Sequence, residues 1–352
     1  MKNILTLLLL ICIFSCKDHQ DEPQPVPEIQ QLTNHTKNIY QVRISPDGST
    51  IFYTIYKNQP NGDLHTEIYS IKSDGSNQKK ILTYPNHLSY APIVSANGKL
   101  LAFETMTYAN SGNVSDLHLV NSDGSNLRKV ISANTTFFPY SFADDDKTLV
   151  YGKNMSIGNC SCNTIWKTNL NGTQNKMISS KGVVVDVTSD KELFLVDDYV
   201  GNAYLMDAEG NNFTNLAPAI PVKISPLKTF VALRKSVTAS GTTNPTLPQS
   251  WQVFGSGMSG TDFKQLTTST AQNYPIDFFP DGSRILFTSM DYSAPDKLAE
   301  LYSVTLDGSE VKRLTDNEFR ETAIGFLEKK NKVLFTSSKD GKVNLYVLNL
   351  KE

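Results

Sequence analysis

The most constraining feature of the chain is a unit that recurs. Its clearest copy is NYPIDFFPDGSRILFTSMDYSAPDKLAELYSVTLDGSEVKRLTDN, residues 273–317. Asn273–Phe279 reads as a strand and stops at Pro280-Asp281-Gly282-Ser283. There proline pre-sets φ, aspartate bonds its own backbone and glycine accepts positive φ. Arg284–Ser289 (RILFTS) is dense in residues that favour a buried pleat. Glu300–Thr305 (ELYSVT) and Val311–Thr315 (VKRLT) follow, joined at Asp307-Gly308-Ser309, a hairpin signal. Four short strands, A to D, with two tight turns in about 45 residues make one blade of a β-propeller.

Weaker copies fill the chain from residue 28 to its end, with A strands beginning at Tyr40, Tyr90, Phe138, Val183, Ile220, Tyr274 and Thr322. Their A–B turns include Pro46-Asp47-Gly48 and Ala96-Asn97-Gly98; their C–D turns include Asp74-Gly75-Ser76 and Asp123-Gly124-Ser125. One column of the C strands reads Tyr69, His118, Trp166, Tyr204, Trp251, Tyr302 and Tyr346, large flat side chains suited to packing between blades. The last copy ends after strand C, while Ile29–Asn34 (IQQLTN) has the pattern of Val311–Asp316 (VKRLTD). An N-terminal strand that completes the last blade closes the edges at the seam. The expectation is an all-β, seven-bladed β-propeller of four-stranded antiparallel blades. Six blades is the alternative if 183–219 is not a full blade.

An [I/L]-Y strand, then S-x-D-G, then L-T, with P-D-G in the first turn, resembles the WD40-like repeat of the TolB propeller family over residues 28–352. The resemblance implies the fold. Its motifs are turns and packing positions, so the activity stays open.

Residues 1–15 carry Lys2 and then the apolar run Ile4–Phe14. The run is shorter than the roughly 20 apolar residues of a spanning helix and has the proportions of a secretory signal peptide. Ile13-Phe14-Ser15-Cys16 resembles the bacterial lipobox, which implies a mature chain beginning at a lipidated (palmitate-bearing) Cys16. Residues 16–27 form a tether that Pro23, Pro25 and Pro27 keep extended. Its Lys17 and following acids resemble the export signal of surface lipoproteins in the Bacteroidetes, with a plain charged tether facing the periplasm as the other reading. The expected address is the outer membrane, with the outer surface preferred.

Lys and Arg number 33 against 35 Asp and Glu, interspersed along the chain, so nothing suggests nucleic acid and no acidic block suggests disorder. Of four cysteines, Cys12 leaves with the signal and Cys16 is the anchor. Cys160 and Cys162 remain, in what reads as a loop. An oxidising compartment permits a local disulfide between them, although a bridge across one residue is awkward. Free thiols and a metal site are the alternatives.

In a propeller the A–B and C–D turns share one face, and the B–C loops and D–A links share the other. The loops of this second face vary here, and variable loops on a rigid ring are where binding concentrates. Candidates on this face are Lys57, His65, His87, Tyr108, Arg234, Lys235, Tyr292 and Arg320. A second set should line the central channel: at the register of Asp277 stand Arg43, Ile93, Ser141, Asp186, Lys223 and Gly325. Asp186 with Lys223, and Asp277 with Arg43, are pairs of opposite sign that either brace the wall or bind a ligand or ion. Enzyme patterns score poorly. All 5 histidines (His19, His35, His65, His87, His118) lie at or before residue 118, and Gly255-Ser256-Gly257-Met258-Ser259-Gly260 lacks the G-x-S-x-G spacing of a hydrolase elbow. No metal or cofactor is expected. The reading is a monomeric, lipid-anchored propeller that binds or scaffolds an envelope protein or an extracellular polysaccharide. A glycan- or peptide-processing enzyme at the channel mouth is the alternative.

Overall fold

The computed structural model describes residues 28–58, 64–84, 88–89, 92–107, 114–157, 160–238, 249–292, 298–328 and 331–350. Cys16, its tether, His87 and Tyr108 lie outside them. Seven antiparallel sheets stand in a ring that the chain visits in order. In blade 6, strands A to D are Gln272–Phe278, Arg284–Met290, Ala299–Thr305 and Val311–Arg313. Segment 183–219 is a full blade, with strands Val183–Val187, Leu193–Asp197, Ala203–Asp207 and Thr214–Ala217, so the count is seven and not six. In blade 2 strand A comes in two pieces, Leu88–Ser89 and Ile93–Val94. Pro92, which has no N–H to give a ladder, precedes the second piece.

The turn motifs do what their chemistry suggests. Asp281 and Asp307 accept the amides of Ser283 (2.9 Å) and Ser309 (3.0 Å), two residues on. The glycines between them, Gly282 and Gly308, sit at φ 74° and 78°. The L-T pair of strand D also gains a reason. Thr33, Thr267 and Thr315 are buried and accept the strand-C amides of Leu345, Val253 and Leu301 at 2.9, 3.0 and 2.9 Å. Their hydroxyls donate to Asn344, Gln252 and Glu300. The leucines before them, Leu32, Leu266 and Leu314, pack into the apolar clusters between adjacent blades.

At the seam, Glu28–Gln31 pairs antiparallel with Asn344–Asn349, so the first strand is strand D of the last blade. Leu32 N donates to Leu345 O at 2.8 Å. Asn344 is fully buried; its Oδ1 accepts from Thr33 Oγ1 (2.9 Å) and His35 N (2.8 Å), and its Nδ2 donates to His35 O (3.3 Å).

The strand-C column needs one correction. Tyr302 stacks on Phe287, Tyr346 on Phe335 and His118 on Phe103, with ring centroids 5.5, 5.6 and 5.4 Å apart. In blade 5 the residue in that register is Phe254, opposite Leu233, and not Trp251, which lies opposite Ser236 nearer the B–C end. The signal was spacing: Phe254 precedes Ser259 of its C–D turn by the same interval as Tyr302 precedes Asp307. A second correction concerns blade 3. Thr148–Ile157 and Cys160–Asn169 pair along their whole length, so Cys160 and Cys162 stand on a strand and not in a loop. Cys162 is disulfide-bonded.

Candidate functional site

Among the described residues, six A strands slip register by one residue beside the channel position, at Tyr40/Val42, Pro139/Ser141, Val184/Asp186, Pro221/Lys223, Pro275/Asp277 and Ala323/Gly325. A bulge bends its strand and re-aims the next side chain. Here it brings the polar residues to a central cavity of about 690 Å³, whose walls include Arg43, Asp186, Lys223 and Asp277. Thr188, Pro226 and Pro280 place its mouth among the A–B turns.

Of the two expected ion pairs, one forms. Lys223 Nζ lies 3.0 Å from Asp186 Oδ1, and the other Asp186 oxygen accepts the amide of Ile224 at 2.9 Å. The carboxylate holds the ammonium well above its ordinary value, against the pull of burial. No ion pair joins Asp277 to Arg43 among the described residues. Burial raises the Asp277 carboxyl, whose Oδ1 accepts the Phe278 amide at 2.9 Å, and burial lowers the Arg43 guanidinium. Both have an unoccupied blade between them: Asp277 is in blade 6 and Arg43 in blade 1, with Gly325, which has no side chain, at the register of blade 7.

Sequence reasoning missed two further channel cations, Lys191 and Lys228. They occupy the turn position that Gly48 and Gly282 fill elsewhere, closing the same backbone bonds to Thr188 O (2.8 Å) and Ser225 O (2.9 Å). Their φ values are 65° and 53°, in the left-handed region that disfavours a side chain. A lysine where the turn asks for glycine was the signal.

On the opposite, B–C face, Arg234 organises a second cluster. It stands on strand Phe230–Thr238, and its guanidinium lies 5.3 Å from the Trp251 ring and 5.8 Å from the Tyr274 ring. Both distances are within cation–π range. Tyr292, 53% exposed, hydrogen-bonds to Tyr274. Arg234 Nε is buried and, among the described residues, has no hydrogen-bond partner. Across the gap to blade 4, Asp197 feels the arginine's charge while burial raises its own carboxyl, and Tyr199 and Val200 beside it are exposed. Arg234 and Tyr292 were expected here; Trp251 and Tyr274 were not, because both had been given to the repeat pattern.

The other candidates are dispersed. Lys57 pairs with the buried Glu67 at 3.0 Å, which also holds Lys80 at 3.0 Å, and His65 stands opposite Lys57 on the neighbouring strand. Lys235 lies over Phe263 at 5.6 Å, and Arg320 Nη2 approaches Met290 Sδ at 3.9 Å. Among the described residues, no group of three or more His, Cys, Asp or Glu side chains is gathered for a metal.

No family model and no curated protein matches the sequence. Solved structures match the ring. The β-propeller domain of the Trilobed protease from Pyrococcus furiosus, which has an open velcro topology, aligns with a TM-score of 0.62 at 11% identity, covering 91% of this chain and 95% of that one. A prolyl endopeptidase aligns with a TM-score of 0.61 at 14% identity, covering 90% of this chain and 50% of that one, so the chain spans about half its length. A putative TolB from Agrobacterium tumefaciens aligns at 0.46 and 17% identity, covering 78% and 95%. These identities speak for the fold alone.

Proposed function

We propose that the protein is a binding module whose B–C face takes a protein partner of the cell envelope. The observation that carries this reading is the Arg234 guanidinium held against the Trp251 and Tyr274 rings, with Tyr292 exposed beside them. Trp, Tyr and Arg are the residues that dominate binding hot spots. The reading is of a binder and not of an enzyme.

The test uses the full chain immobilised against detergent-solubilised envelope from its native host. The wild-type chain retains a discrete protein; a Trp251→Ala/Arg234→Ala double variant, folded by circular dichroism, retains at least tenfold less. Equal retention by both chains contradicts the reading. Retained material that glycosidases remove and proteases do not would move it to a polysaccharide.

The address is part of the proposal: Cys16 carries lipid and holds the ring at the outer membrane. Each buried CH₂ contributes about 0.8 kcal/mol, so more than one acyl chain makes the attachment stable. Cys16→Ala is expected to move the protein from the membrane fraction to the soluble one and to abolish incorporation of labelled palmitate. A variant that stays with the membrane would rule out the anchor. Protease shaving of intact cells then separates an outward-facing ring, which is digested, from a periplasmic one.

A further inference from the structure

We infer that the A–B end of the channel is a binding site for an oxyanion, the carboxylate or phosphate group of a small ligand, held by Arg43 and Lys191. This site is separate from the B–C face and does not depend on the partner proposed for it.

Three observations carry the inference. The cavity, about 690 Å³, is roomy enough for a small ligand and opens at the A–B turns. Part of its positive charge is not consumed in ion pairs: Arg43 and Lys191 have no ion pair or side-chain hydrogen bond among the described residues, whereas Lys223 and Lys228 are paired with Asp186 and Asp190, and Asp277 is a further acid in the lining. The acids whose charge reaches Lys191 are engaged elsewhere. Asp186 is held by Lys223 and the Ile224 amide, and Asp146 accepts the amides of Ala96 and Asn97 at 2.7 and 2.9 Å. Finally, Lys191 keeps a side chain at φ 65°, where the equivalent turns of blades 1 and 6 use glycine. Strain of this kind persists where the side chain has work to do. Arg43 is exposed and Lys191 half-buried along this cavity, and burial lowers the proton affinity of Lys191 against the pull of Asp186 and Asp146. An arginine fork and a lysine ammonium that line one cavity are suited to an oxyanion.

The test is calorimetric titration of the purified full chain, in phosphate-free buffer of low ionic strength, with inorganic phosphate and separately with citrate. One or both should bind saturably at one site per chain, the two arms distinguishing a phosphate site from a carboxylate site. Arg43→Gln and Lys191→Gly should each weaken binding at least tenfold, and Lys312→Gln on an outer strand should not. Lys191→Gly relieves the left-handed strain, so its Tm should equal or exceed that of the wild type and its loss of binding is not a loss of fold. No saturable binding of either anion at millimolar concentration, or undiminished binding in both channel variants, overturns the inference.

Discussion

Raising the pH from 5 to 8 is expected to cost the folded chain about 3–6 kcal/mol, most of which a Glu104→Gln/Glu321→Gln double variant recovers. Both carboxyls are buried, and burial pushes each up to about 7. Glu104 Oε1 accepts from Ser115 Oγ (2.5 Å) and Phe137 N (2.9 Å), and Glu321 Oε1 accepts from Asn317 Nδ2 (2.8 Å). Among the described residues, the second oxygen of each is buried without a partner. A carboxyl whose folded value is raised binds its proton more tightly folded than unfolded. Its stabilising effect is therefore full below the unfolded value near 4.5 and is lost as the pH rises through 7. At about 1.4 kcal/mol per pH unit between the two values, each group contributes up to about 3 kcal/mol. Burial depresses the His35 imidazole, which works the other way at the acid end, so the readout is the difference between wild type and variant in urea unfolding across pH. Parallel profiles for the two proteins would refute the assignment.

Asn344→Leu is expected to lower the unfolding free energy by about 3–4 kcal/mol, because it strips three hydrogen bonds from the buried seam. Thr33 Oγ1 and His35 N lose their acceptor, and His35 O loses its donor. The leucine side chain satisfies none of them. Asn349→Ala, on the same strand with one long bond of 3.5 Å to Glu28 O, serves as the control and should cost less than about 0.5 kcal/mol. The denaturant midpoint checks both. Losses of equal size would mean that the seam is held by the strand ladder alone and not by the asparagine latch.

The fold was legible in the sequence because propeller turns use residues with narrow backbone roles. Pro280-Asp281-Gly282 and Asp307-Gly308-Ser309 announce their turns, and IQQLTN repeats the L-T latch that closes the ring. The column at Trp251 misled because aromatic identity was followed where spacing from the turn carries the register. In the sequence the blade 3 hairpin looks like a loop because Cys160–Asn163 is polar, yet strand pairing at a blade's end needs no apolar face. The sites were less legible. Which charges meet depends on the ring's geometry: Asp186 and Lys223 are on adjacent blades and touch, whereas Gly325 lies between Asp277 and Arg43. Arg234 acquires its aromatic partners from a neighbouring strand and a neighbouring blade, which no local pattern encodes.

The ring has two candidate functional ends: an aromatic face around Arg234 and a cationic channel opening at the A–B turns. The first carries the central claim, and site-specific photo-crosslinking in intact cells of the native host tests it most directly. A benzophenone amino acid replaces Tyr292, and in a separate strain Lys312 on the outer strand of the same blade. The account predicts one discrete protein adduct from position 292, none from position 312, and loss of the adduct when Arg234→Ala is added. No adduct from position 292, or the same adducts from both positions, would contradict it.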